Sequence, residues 1–206
     1  MHAVLKEVYT NIQNGEKVTK KTMLELLELH WRREGYENKQ YETEMKKRGQ
    51  NYLAGYFEKE FNSKTKILAL EQSFVLPVSG GNRFLRAGGR IDRIDDLGDG
   101  RIEIIDYKTG KISTKREVDA NLQLSMYALA ATEIPESVFN RNPENVILSL
   151  YYFDTQEKIS TTRTYDQLQL EKQKILEVAA QIEQSDFKCS GGMLCNNCEY
   201  KMFCGV

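Results

Sequence analysis

Two segments that alternate apolar and charged residues meet at Gly98-Asp99-Gly100. One is Gly89-Arg90-Ile91-Asp92-Arg93-Ile94-Asp95; the other is Arg101-Ile102-Glu103-Ile104-Ile105-Asp106-Tyr107-Lys108. The turn is rich in residues that tolerate positive φ, so the pair predicts a β-hairpin. With those three residues as the loop, Leu97 pairs with Arg101. Counting back, Asp92 then faces Asp106 and Arg90 faces Lys108. Opposed residues share a face of the sheet. A four-residue loop would move Asp92 to the other face, and a bulge would restore it. Asp106 and Lys108, two apart on one strand, also project together. Two opposed carboxylates repel each other unless a cation lies between them. The hairpin therefore presents two acids and a lysine able to hold a hard divalent ion, activate a water and neutralise charge on a phosphate. Most Asp-x-Lys pairs on hairpins are solvated faces, and two further segments weigh against that reading here.

The first is Gln123-Leu124-Ser125-Met126-Tyr127-Ala128-Leu129-Ala130, an amphipathic helical stretch in which Gln123 and Tyr127 lie one turn apart on the same side. The second is the C-terminal Cys195-x2-Cys198-x5-Cys204, with Cys189 six residues before Cys195. All four cysteines fall in this one stretch, which in a reducing compartment favours a metal over disulfides. Four thiolates suit zinc or a [4Fe–4S] cluster equally.

Periodicity predicts helices over residues 2–13, 20–34 and 38–60, with Trp31, Tyr41, Met45, Tyr52 and Tyr56 among their core-facing side chains. Strands follow over 66–78, 82–96 and 101–108, then a helix over 116–132, strands over 145–154 and 158–165, and a helix over 166–184. That order is α/β with a mixed central sheet flanked by helices. The chain of 206 residues, 40% hydrophobic and 29% charged, suits one globular domain. It divides into a helical segment (1–62), a core (63–186) and a Cys-rich cap (187–206). No apolar run approaches the ~20 residues of a membrane span, and no secretory h-region opens the chain, so a cytoplasmic location and no membrane partner are expected. A net charge of −1 gives no global signal for nucleic acid, so phosphate contacts would be local. Lys111, Lys115 and Arg116 follow the acidic hairpin and are the nearest candidates.

The series GRIDRIDD, IIDYKTGK and LQLSMYALA resembles the RecB-type branch of the PD-(D/E)xK nuclease superfamily. The terminal C-x2-C-x5-C resembles its iron–sulfur members, such as the nuclease domains of AddB-like helicase–nucleases. The opening MHAVLKEVYTNI is similar to the helix whose histidine joins the metal site, here His2, and residues 29–36 resemble the helical segment after it. The resemblance implies a restriction-endonuclease-like core. It implies one or two Mg²⁺ or Mn²⁺ ions held by His2, Asp92 and Asp106, with the carbonyl of Tyr107 as a further ligand. Lys108 would position the attacking water or stabilise transition-state charge. Gln123 and Tyr127 would hold the nucleic-acid backbone or brace the lysine, and Glu71 is a weaker additional acid. A [4Fe–4S] cluster on Cys189, Cys195, Cys198 and Cys204 is implied, unless an upstream cysteine takes the place of Cys189. The implied activity is a metal-dependent DNA nuclease, an exonuclease acting with a helicase in recombination or repair. The rivals are an inactive nuclease-fold DNA-binding module and a zinc-capped interaction domain.

Overall fold

The computed structural model describes residues 1–136, 138–185, 191–198 and 200–203. Three helices come first: α1 (His2–Gln13), α2 (Lys20–His30) and α3 (Lys39–Lys59). Then follow β1 (Lys66–Gly80), β2 (Arg83–Gly98), β3 (Arg101–Lys108), α4 (Lys115–Asp119), α5 (Leu122–Glu133), β4 (Val146–Tyr152), β5 (Glu157–Thr161) and α6 (Tyr165–Gln184). The five strands form one sheet in the order β1-β2-β3-β4-β5. Neighbours are antiparallel except β3 and β4, which are parallel. Parallel neighbours need a crossover, and α4 with α5 provides it.

β3 shows how the sequence sorts the two faces. Ile102 and Ile104 bury against Leu124 and Ala128 of α5 and against Leu168, Ile175 and Leu176 of α6. Ile105 and Tyr107 bury on the other side with Val4, Leu5 and Val8 of α1, Met23 and Leu27 of α2, and Leu53 and Tyr56 of α3. Each such side chain removed from water contributes ~1.5–3 kcal/mol, so both faces of the strand are strongly specified. The expected α/β architecture, a mixed sheet flanked by helices with an N-terminal helical segment, is the one observed. Among the described residues no helix is long and apolar enough to cross a membrane.

Two expected helices are revised. The second ends at His30, and Trp31 is its extended C-cap residue, packed on the N-terminal core from outside the helix. The helix expected over 116–132 is two helices, because Asn121 caps a new start: its Oδ1 accepts from Leu124 N–H at 3.0 Å. A buried arginine holds the break. Arg163 donates to the carbonyls of Val118 (3.2 Å) and Asn121 (3.5 Å), to Ser125 Oγ (3.1 Å) and to Thr161 Oγ1 (2.9 Å). α5 is thereby set at a fixed rotation, with Gln123 in its first turn.

Candidate active site

The hairpin reaches the expected register by a different turn. Gly98 pairs with Arg101, leaving Asp99-Gly100 as a two-residue loop. Both loop residues have positive φ (53° and 76°), as the tight primed turns require. The pairing then slips between Gly98 and Asp96, so Leu97 pairs with nothing rather than with Arg101. This bulge restores the register: Arg93 lies opposite Ile105, and the next residues along are Asp92 and Asp106. The ladder ends at Arg93–Ile105, so Arg90 does not face Lys108. Arg90 pairs instead with Ser73 of β1, and Lys108 with Tyr152 of β4.

Asp92 sits where the alternation of β2 changes phase. Ile91 and Ile94, three residues apart, enter the same core, while Arg93 lies 4.0 Å over the Tyr9 ring on the other face. The carboxylate of Asp92 turns to the end of β3, where its Oδ2 accepts from Tyr107 N–H at 2.9 Å. α1 brings His2 to the same point. Its Nε2 stands 3.2 Å from Asp92 Oδ2 and 3.2 Å from the Tyr107 carbonyl oxygen. The hydrogen bond to Asp92 raises the His2 pKa, against the opposing effect of burial.

Asp106 belongs to a second, contiguous group. It is buried, with Oδ1 accepting from Gln123 Nε2 and from Tyr127 OH, both at 3.0 Å. Lys108 Nζ lies 2.6 Å from Asp106 Oδ2 and donates to Gln123 Oε1 at 2.8 Å. Tyr127 OH also reaches the Arg90 carbonyl (2.9 Å) and accepts from Gln123 Nε2 (2.7 Å). Burial pushes the Asp106 carboxyl up, against the pull of Lys108. It also raises Tyr127, whose hydroxyl stays protonated and able to donate at neutral pH.

Among the described residues, no three His, Cys, Asp or Glu side chains converge as a metal-holding group. The expected set of His2, Asp92 and Asp106 is thus not gathered as three side chains, because Asp106 engages α5 and Lys108. What does converge is His2 Nε2, Asp92 Oδ2 and the Tyr107 carbonyl. The donor set fits a hard ion on two counts. Ligands at ~2.1 Å in octahedral geometry stand ~3 Å apart, close to the 3.2 Å separations here. Asp106 Oδ2 is buried with the Lys108 ammonium at 2.6 Å beside it, and a carboxylate oxygen has a second lone pair to offer an ion.

The remaining expected residues are more dispersed. Lys111 and Arg116 are exposed, on the loop after β3 and on α4, and Lys115 is ion-paired with Asp119. Cys195 and Cys198 lie at a 3₁₀ turn, Met193–Asn197, with Cys198 N–H bonded to the Cys195 carbonyl at 3.4 Å. Cys189 and Cys204 lie outside the described residues.

One contributor was not foreseen, and the weaker expected acid, Glu71, also lies nearby. Asp154 accepts from Gly110 N–H at 2.5 Å and from Tyr52 OH at 2.5 Å, and pairs with Arg48, which holds the loop after Lys108 against α3. An aspartate at a strand end reads in sequence only as a turn former. Glu71 lies between the pairs Leu70–Arg93 and Gln72–Ile91, and so across from Asp92. Its φ is +50°, and its carboxylate is 3.7 Å from Arg90 Nη1.

The family model of the PD-(D/E)XK nuclease superfamily matches residues 1–205. The chain belongs to that superfamily. Asp106-Tyr107-Lys108 is a match to the (D/E)-x-K part of the superfamily's signature. No curated protein matches the chain. A solved structure titled "Crystal structure of SSO0001" is similar at 17% identity over 90% of this chain and 93% of its own, with a TM-score of 0.44.

Proposed function

We propose that this member of the PD-(D/E)XK superfamily is a Mg²⁺- or Mn²⁺-dependent deoxyribonuclease. One observation carries the reading. His2, Asp92 and the Tyr107 carbonyl converge beside an ion pair of the buried Asp106 with the part-exposed Lys108, which Gln123 and Tyr127 brace. His2 Nε2, Asp92 Oδ2 and the Tyr107 carbonyl would hold the ion, with Asp106 Oδ2 as the further oxygen. A bound divalent ion supplies Lewis acidity to a water and to the scissile phosphate. Lys108 presents its ammonium where negative charge grows on the phosphate, which is worth most when the donor is fixed in advance. Gln123 provides that fixing, holding Nζ through Oε1 and Asp106 through Nε2. Tyr127 ties Asp106 to the Arg90 backbone.

Exonuclease action, a helicase partner and a role in recombination or repair rest on the resemblance of the ordered motifs to the RecB-type branch. A [4Fe–4S] cap rests on the cysteine spacing, with Cys195 and Cys198 three apart at one turn, as a chelating pair needs. The test is cleavage of linear and circular DNA, single- and double-stranded, with Mg²⁺, Mn²⁺ or chelator. Degradation of linear DNA that stops with chelator is expected. Cleavage indifferent to chelator, or none with either metal, would overturn the reading. Iron and sulfide in anaerobically purified protein would support the cluster, and stoichiometric zinc without iron would replace it.

A further inference from the structure

Beside the candidate site lies a cleft of about 530 Å³ whose walls include Met1 and Thr109, the immediate neighbours of His2 and Lys108. Its outer wall is aromatic. Trp31 and Tyr36 are parallel within 4°, with centroids 5.6 Å apart, and Tyr41 meets Tyr36 edge-on at 6.1 Å. Trp31 is half-buried against the N-terminal core, Tyr36 is half-buried and Tyr41 is 43% exposed, so all three keep surface open to the cleft. Trp31 is fixed by donation from Nε1 to Glu42 at 3.1 Å. At the inner end Arg48 lies 5.3 Å over the Tyr52 ring and is tied through Asp154 to Gly110, two residues after Lys108.

A stacked aromatic pair with a third ring edge-on and a cation nearby, beside the candidate active site, matches one occupant. Unpaired bases stack on such rings because every base has a π-face, whereas paired bases are already stacked on each other. We infer that this cleft holds the unpaired bases of a single-stranded DNA segment whose phosphate is at the candidate active site. The inference rests on the nuclease reading for its direction, and is testable apart from it.

Trp31 is the sole tryptophan of the chain and reports on the cleft directly. Oligothymidylate titrated into the full chain with EDTA, where cleavage cannot occur, should quench indole emission saturably. A blunt duplex of the same length should not. Tyr36→Ala should weaken oligothymidylate binding, followed by anisotropy of a labelled strand, ~5- to 150-fold, the range for loss of one base stack. Tyr41→Ala, at an exposed position, should weaken binding in the same direction and decides the matter if Tyr36→Ala fails to fold. Unchanged emission at saturating oligothymidylate would overturn the inference, as would equal quenching by blunt duplex or wild-type affinity in the folded tyrosine variants. If the protein cuts DNA but its emission is unmoved, the cleft assignment fails and the nuclease reading stands. If quenching is seen but no metal supports cleavage, the nuclease reading fails and the cleft stands.

Discussion

Tyr127→Phe tests whether Asp106 is positioned from α5. The change removes one oxygen and leaves the ring, which packs edge-on to Phe74 at 6.0 Å. Three contacts go with the oxygen: to Asp106 Oδ1, to the Arg90 carbonyl and from Gln123 Nε2. Gln123 keeps Asp106 Oδ1 as an acceptor, so its loss is partial. The carboxylate loses a donor, and a hydrogen bond to a charged group is worth ~1.5–3 kcal/mol. A net destabilisation of ~2 kcal/mol follows, or roughly 4–8 °C in Tm for a chain of this size. The catalytic effect has a distinct signature. The Tyr127 hydrogen bond favours ionised Asp106, whose carboxyl burial already pushes up. Without that bond the carboxyl rises further, so the variant keeps less of its carboxylate as pH falls. Cleavage should drop ~10-fold at neutral pH, about 1.4 kcal/mol, and the acid limb of kcat/KM should move to higher pH. Calorimetry and a pH series on one DNA substrate measure both. An unchanged acid limb, whatever the Tm, would refute the coupling between Tyr127 and Asp106.

Lys108→Ala should lower cleavage ~10²–10³-fold while circular dichroism stays at the wild-type spectrum, because its ammonium is preorganised for phosphate charge. Mn²⁺ binding, followed by calorimetry, should weaken as pH falls through the raised His2 pKa, since proton and metal compete for Nε2; His2→Ala should lose that dependence. The His2–Asp92 ion pair has the opposite sign for folding. Its small contribution is fully present below pH 6.5, the ordinary histidine value, and is lost as pH rises through the folded-state pKa. Arg163→Met should cost about 3 kcal/mol in urea unfolding, because it strips the Val118 and Asn121 carbonyls of their donor, and cleavage should fall with it as the start of α5 loosens.

What the sequence made legible was alternation and chemistry. Period-2 patterning located β3 over residues 101–108 in both the sequence and the structure. The register as far as Arg93–Ile105 was also readable, although by compensation: the real loop is one residue shorter than expected, and the unpaired Leu97 makes up the difference. A bulge has no sequence signature beyond glycine and turn chemistry, so it was not foreseeable in detail. The break before α5 has a local signal in the Asn121 cap, but the group that holds it open, Arg163, lies some forty residues away in sequence and comes close only in the fold. Trp31 and Tyr41 look alike in sequence because apolar spacing cannot distinguish Trp31, half-buried against the core, from Tyr41, which faces solvent. Asp154 was invisible for a related reason. Its partners Arg48, Tyr52 and Gly110 come from two distant segments that meet only in the fold.

The face of the sheet opposite Asp106 explains how the site keeps its geometry. Tyr107 points its ring away from the acids, into the aromatic core of α1 and α3. There its hydroxyl accepts from Arg93 Nη1 at 2.8 Å and lies 3.2 Å from Tyr56 OH. Arg93 is itself buried, paired with Asp95 at 2.8 Å and bonded to Tyr56 OH at 2.9 Å. Buried ion pairs add little net stability, and well-packed apolar side chains in their place are often as stable or more so. Their distinctive property is directional: a guanidinium with fixed acceptors tolerates little displacement. The element being fixed is the Tyr107 peptide unit. Its N–H holds Asp92 at 2.9 Å and its carbonyl faces His2 at 3.2 Å. One residue thus anchors the sheet to these helices through its ring and meets two candidate metal donors, Asp92 and His2, through its peptide. A shift of that peptide by a few tenths of an ångström would be felt by both donors at once.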